Sequence, residues 1–153
     1  MKSETLSLSP ILQEIEQLKS AHKLISEVYI PKIEQYLLGM SGAGLVTDAK
    51  IEVCIYWFQR FAYDLESHFS FEEQELFEAI ARSESSISKE GRYFLENHEN
   101  HERRLQLLLR VMREEFTFFS GDLAYQLVLS SLNDLSKSLL EHAEREHELF
   151  SKL

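Results

Sequence analysis

Apolar residues recur along this chain at the three- and four-residue spacing of helices. Ile11, Ile15, Leu18 and Ile25 form one such stripe behind Ser9-Pro10, which reads as an N-cap followed by a proline at the first helical position. The first helix is expected to run from Pro10 to about Leu38 and to stop at the glycine-rich GMSGAG. Pro31 falls inside it and is expected to kink it, because a proline removes one backbone bond and crowds the preceding turn. Thr47 or Asp48 can cap a second helix reaching about Ala81 or Arg82. Beyond the serine-rich SESSIS, a third helix is predicted from about Ser88 to Phe118. After Ser120-Gly121-Asp122 a fourth runs from about Leu123 almost to the end. Strand-like alternation of useful length, linkers and low-complexity segments are absent from the sequence. The expected fold is all-α: one domain over residues 1–153, built as an up-down-up-down antiparallel four-helix bundle.

Composition supports long elements, since 153 residues contain only five glycines and two prolines. The formal charge of −10 speaks against nucleic acid or an anionic membrane as partner and favours cations nearby. The N-terminal stretch MKSETLSLSPILQEIE does not resemble a signal peptide, and no run of apolar residues is long enough for a membrane span. Cys54 is the single cysteine and sits in the apolar run VCIYWF, which excludes an internal disulfide and reads as a small buried hydrophobe. These features point to a cytoplasmic protein, with its oligomeric state left open.

The chemistry lies in the histidines. HFSFEEQELF (68–77) places Glu72 one helical turn after His68, and HAEREHELF (142–150) places Glu146 one turn after His142. Their heights follow from a helical rise of about 1.5 Å per residue. His68 lies 14 residues before Arg82 and His101 lies 13 after Ser88, while His22 is 12 after Pro10 and His142 is 11 before Leu153. In an antiparallel bundle one histidine per helix therefore falls in a single layer. His98, Glu72 and Glu146 lie one turn away, all toward the same end. Around this layer Trp57, Phe61, Leu65, Leu105, Leu108, Leu135 and Leu139 recur at core spacing. His147 is off the layer and reads as a surface residue, and Glu102 reads as solvated.

Buried glutamates and imidazoles are costly unless they have something to bind, and a pair of metal ions removes that cost. Mixed nitrogen and oxygen donors suit iron or manganese, and zinc also fits. Ferritin-like diiron proteins are a poorer match, because they place glutamate before histidine, an order found here only in Glu144 and His147.

The layout resembles the hemerythrin family, in particular the bacterial hemerythrin-like proteins with a His-His-Glu signature. The likeness covers nearly the whole chain: His22, H68-FSF-E72 with Glu73 and Leu76-Phe77 after it, NHENH (97–101), and H142-AER-E146. It implies a four-helix bundle around two iron ions joined by an oxo or hydroxo bridge. His22 and His68 would then serve one ion, His101 and His142 the other, with Glu72 and Glu146 bridging. Animal-type members carry two histidines four apart on the third helix, whereas His98 and His101 are three apart. His98 is a further ligand, a support for a ligand, or a surface residue. In the fourth helix the family often has an aspartate five residues after the histidine. Here that position is His147, and the carboxylate is Glu146 at the fourth; the Leu-Phe pair also follows His142 one residue sooner than it follows His68.

What the resemblance implies is dioxygen, or another small diatomic, as ligand for storage, delivery or sensing. The alternatives are nitric oxide or peroxide handling, iron donation in iron-sulfur repair, or a metal-free helical interaction module. No catalytic residue stands out beyond the candidate metal site.

Overall fold

The structure, a computed structural model, describes residues 2–42, 49–81, 89–116 and 122–151, with side chains described at 10–40, 49–80, 100–116 and 122–151. Among these residues the chain is all-helical, and four helical rods make a bundle. The first rod joins α1 (Lys2–Leu24) to α2 (Ile30–Gly42) through a π-helical stretch, Ile25–Tyr29. The second joins α3 (Ala49–Phe71) to the short α4 (Phe77–Ala81) through another, Glu72–Leu76. The third and fourth are the unbroken α5 (Lys89–Glu115) and α6 (Leu123–Ser151). No described helix is long and apolar enough to cross a membrane.

The first rod differs from the sequence reading at both ends, since it runs from Lys2 to Gly42 rather than from Pro10 to about Leu38. Pro10 lies inside α1, so the preference of proline for the first helical position does not set this start. Pro31 falls where π-helix returns to α-helix: the Ile30 N–H bonds to Ile25 O, five residues back, just before the residue that has no N–H to give. The expected caps Thr47 and Asp48, and the expected ends Arg82, Ser88 and Phe118, lie outside the described residues. At the fourth rod Asp122 is the N-cap, its Oδ1 accepting from Tyr125 N at 3.1 Å.

Contacts between rods run in opposite directions along the chain. Lys50 meets Glu115 at 2.7 Å and Asp64 meets Arg104 at 2.8 Å, so α3 and α5 pair early residues with late ones. Tyr125 donates to Met112 O, and Ser136 donates to Glu102 at 2.7 Å, which pairs α5 and α6 likewise.

Two apolar cores fill the interior. The larger contains Ile25, Ile33, Phe58, Leu65, Leu105, Met112, Val128 and Leu139. The smaller contains Ile15, Leu18, Leu76, Phe77, Ile80, Leu149 and Phe150. Of the expected core residues, Phe61, Leu65, Leu105, Leu108, Leu135 and Leu139 are buried. Trp57 is not: it is 45% exposed, because the inward stripe of α3 runs through Cys54, Phe58 and Phe61 and leaves its neighbour turned outward.

Cys54 sits in the larger core, where burial, then the charge of Glu115, push its thiol up to about 11. A raised thiol pKa favours the neutral form in the folded state. Stability from this group is complete below the unfolded thiol value and falls as pH rises toward about 11. Denaturation midpoints measured against pH should show that loss, and Cys54→Ala should flatten it; an unchanged slope in the variant would contradict the assignment.

Candidate metal centre

Between the two cores lies a polar layer. Along α1, His22 separates Leu18 of the smaller core from Ile25 of the larger; along α6, His142 and Glu146 separate Leu139 from Leu149. His68 and Glu72 hold the same place in the second rod, and His101 lies one turn before Leu105 on α5. All six side chains are buried: His22 3%, His68 3%, Glu72 0%, His101 8%, His142 2% and Glu146 0% exposed.

Local helix geometry sets the pairs. His68 Nε2 lies 2.9 Å from Glu72 Oε1 and His142 Nε2 lies 2.6 Å from Glu146 Oε1, each pair one turn apart on its own rod. Packing of α1 on α6 brings His22 Nε2 to 2.8 Å from His142 Nε2, and to 3.7 Å from both Glu72 Oε1 and Glu146 Oε1. Ligand atoms from His22, Glu72, His142 and Glu146 all lie within 4.8 Å of one another. His101 faces His68 across the α3–α5 contact, ring centroids 5.2 Å apart. In space, then, His22 neighbours His142 and His68 neighbours His101, whereas the resemblance groups His22 with His68. The structural pairing follows the contacts of α1 with α6 and of α3 with α5.

Aromatic rings close the layer. Phe69 stacks on His22 at 3.9 Å, Phe77 lies parallel to it at 5.7 Å, and Phe61 meets His101 edge-on at 6.1 Å. Phe77 reaches this position through the π-helical stretch. There the Phe77 N–H bonds to Glu72 O, five residues back, so Glu72 and Phe77 both face inward. The Leu-Phe pair follows His68 by eight and nine residues but follows His142 by seven and eight. The extra residue in the second rod is taken up by this wider turn, and Leu76-Phe77 and Leu149-Phe150 end in the same core.

Other expectations sort as follows. His147 is exposed on α6. His98 belongs to α5, but its side chain lies outside the described residues. Glu102 is not solvated: it is half-buried and accepts from Ser136 at 2.7 Å and Gln106 at 3.1 Å, an interhelical contact that helical spacing alone does not reveal. Glu73 received no role from the sequence, yet its Oε2 lies 3.5 Å from His22 Nδ1. The only signal for it is its place directly after Glu72, where the register changes.

The donor set fits a metal site: donor atoms of His22, Glu72, His142 and Glu146 converge in a buried layer, with His68 and His101 beside them. Comparison with known families agrees. A family model described as hemerythrin HHE cation binding domain matches residues 13–153. Comparison with curated proteins and with solved structures gives no match.

Two fully buried carboxylates with oxygens within 4.8 Å of each other lose hydration and repel one another, which a cation between them would offset. Metal-free Glu146→Gln should therefore be more stable than the metal-free parent by about 1 kcal/mol. Added metal should raise the parent's melting temperature more than the variant's. A metal-free variant less stable than the parent would show that the carboxylate is structural.

Proposed function

The chain belongs to the hemerythrin HHE cation-binding domain family, and from that premise we propose that it is a non-haem diiron protein taking up dioxygen for storage, delivery or sensing. In this reading residues 1–153 form a single domain, an up-down-up-down antiparallel four-helix bundle. The observation that carries it is the buried layer of four histidines and two glutamates between two apolar cores.

His22, His68, His101 and His142 would supply imidazole nitrogens, and Glu72 and Glu146 carboxylate oxygens; His98 is proposed as a further nitrogen ligand from α5. Iron bound there supplies the reversible redox exchange that dioxygen uptake requires, and the donors would also accept manganese or zinc. The protein's part is to hold the donors and keep water out. Phe69, Phe77 and Phe61 lie flat or edge-on against the histidine rings and restrict their rotation. Helical spacing holds each glutamate beside its histidine.

A small ligand has a way in. A cavity of about 760 Å3 between α3 and α5 reaches His68 and His101. The same opening would admit nitric oxide or peroxide, which a second reading takes as what the centre handles.

Elemental analysis of protein expressed with supplementary iron should find about two iron ions per chain. An absorption band that appears with oxygen and disappears under vacuum would support reversible uptake. Its irreversible loss with peroxide consumption would favour the second reading. His68→Ala should lose metal while far-ultraviolet circular dichroism stays helical, because apolar burial holds the bundle. His147→Ala should keep its metal; the reverse order of effects would overturn the ligand assignment.

A further inference from the structure

Two cavities reach the histidine layer, and they differ in the charged residues that line them. The one that meets His68 and His101 has Arg103 and Arg104 on its rim, with Asp64 bound by Arg104 at 2.8 Å. The other, about 670 Å3, opens between the first and second rods and is lined by Glu16, Glu27, Glu66 and Glu73, with Lys19 and Lys23. Lys19 sits 3.8 Å from Glu16, so Glu27, Glu66 and Glu73 outnumber the one remaining lysine. The acidic surface continues to Glu34 on α2, whose carboxyl is pushed up by burial and by the charge of Glu66.

His22 stands at the inner end of this groove. Its ring is 3% exposed, and its two nitrogens face different ways: Nε2 meets His142, Glu72 and Glu146, while Nδ1 makes no hydrogen bond and lies 3.5 Å from Glu73 Oε2. Glu73 is 38% exposed, so one carboxylate is open to solvent and also adjoins the buried ring.

We infer that metal ions reach the centre through this acidic groove, with Glu73 as the relay that takes a hydrated cation from the groove to His22. The inference rests on the metal-binding reading above and adds the route. A cleft lined by one sign of charge concentrates ions of the other sign and speeds their arrival.

The test is the rate of cobalt(II) uptake by the metal-free full chain, followed by stopped-flow absorbance. Glu73→Gln should slow association about tenfold, and the parent's rate should fall as salt is raised. Glu66→Gln should slow association in the same direction. Glu144→Gln removes an exposed carboxylate of α6 outside the groove and should leave the rate unchanged. Equal association rates in Glu73→Gln and Glu144→Gln would overturn the route while leaving the metal-binding reading intact. So would faster dissociation at an unchanged association rate, which would make Glu73 a group that only orients His22. A parent that binds neither cobalt(II) nor iron would overturn the metal-binding reading, and this inference with it.

Discussion

Everything in this protein turns on the burial of Glu72 and Glu146. Both are wholly excluded from solvent, and both lie in a layer with apolar residues above and below. A carboxylate moved from water to such a place loses several kcal/mol of hydration. Adjacent imidazoles recover part of that, and a shared cation recovers more. The fold exists despite this layer, because two apolar cores flank it and the first, second and fourth rods contribute buried residues to both.

The rods are adapted to that demand. Two π-helical stretches, Ile25–Tyr29 and Glu72–Leu76, lie on either side of the His22–Glu72 contact. The second keeps Glu72 and Phe77 on one face and so seats both the carboxylate and the ring that flanks His22. The first takes the register change ahead of Pro31. Regular α-helix suffices on α6, where the Leu-Phe pair is one residue nearer to its histidine. Access is equally asymmetric, with an acidic groove at His22 and an opening at His68 and His101 where Arg104 is paired with Asp64.

Much of this is legible in the sequence because it is local. A histidine and a glutamate four residues apart share a helix face whatever surrounds them; that pair on two rods, with His22 and His101 at matching heights on the others, brings four rods to one layer. The one-residue offset of Leu76-Phe77 against Leu149-Phe150 is also visible in the string, and the π-helical turn gives it a cause. What depends on contacts between rods is not legible. Glu73 and Glu102 look like ordinary solvated glutamates until α1 is placed beside one and α6 beside the other. Trp57 looks like core because it falls at helical spacing with Phe61 and Leu65, but its neighbour Phe58 takes the inward position. Pro10 reads as a helix start because prolines favour that position, a preference that the longer α1 overrides.

The central claim is that Glu72 and Glu146 are buried in order to join metal ions between four rods. It is tested most directly by an anomalous difference map at the iron edge, from crystals of protein grown with supplementary iron. The account predicts about two peaks inside the bundle, each within bonding distance of Glu72 or Glu146 and of at least one of His22, His68, His101 and His142. No peak in that layer, or peaks only among exposed carboxylates, would contradict it.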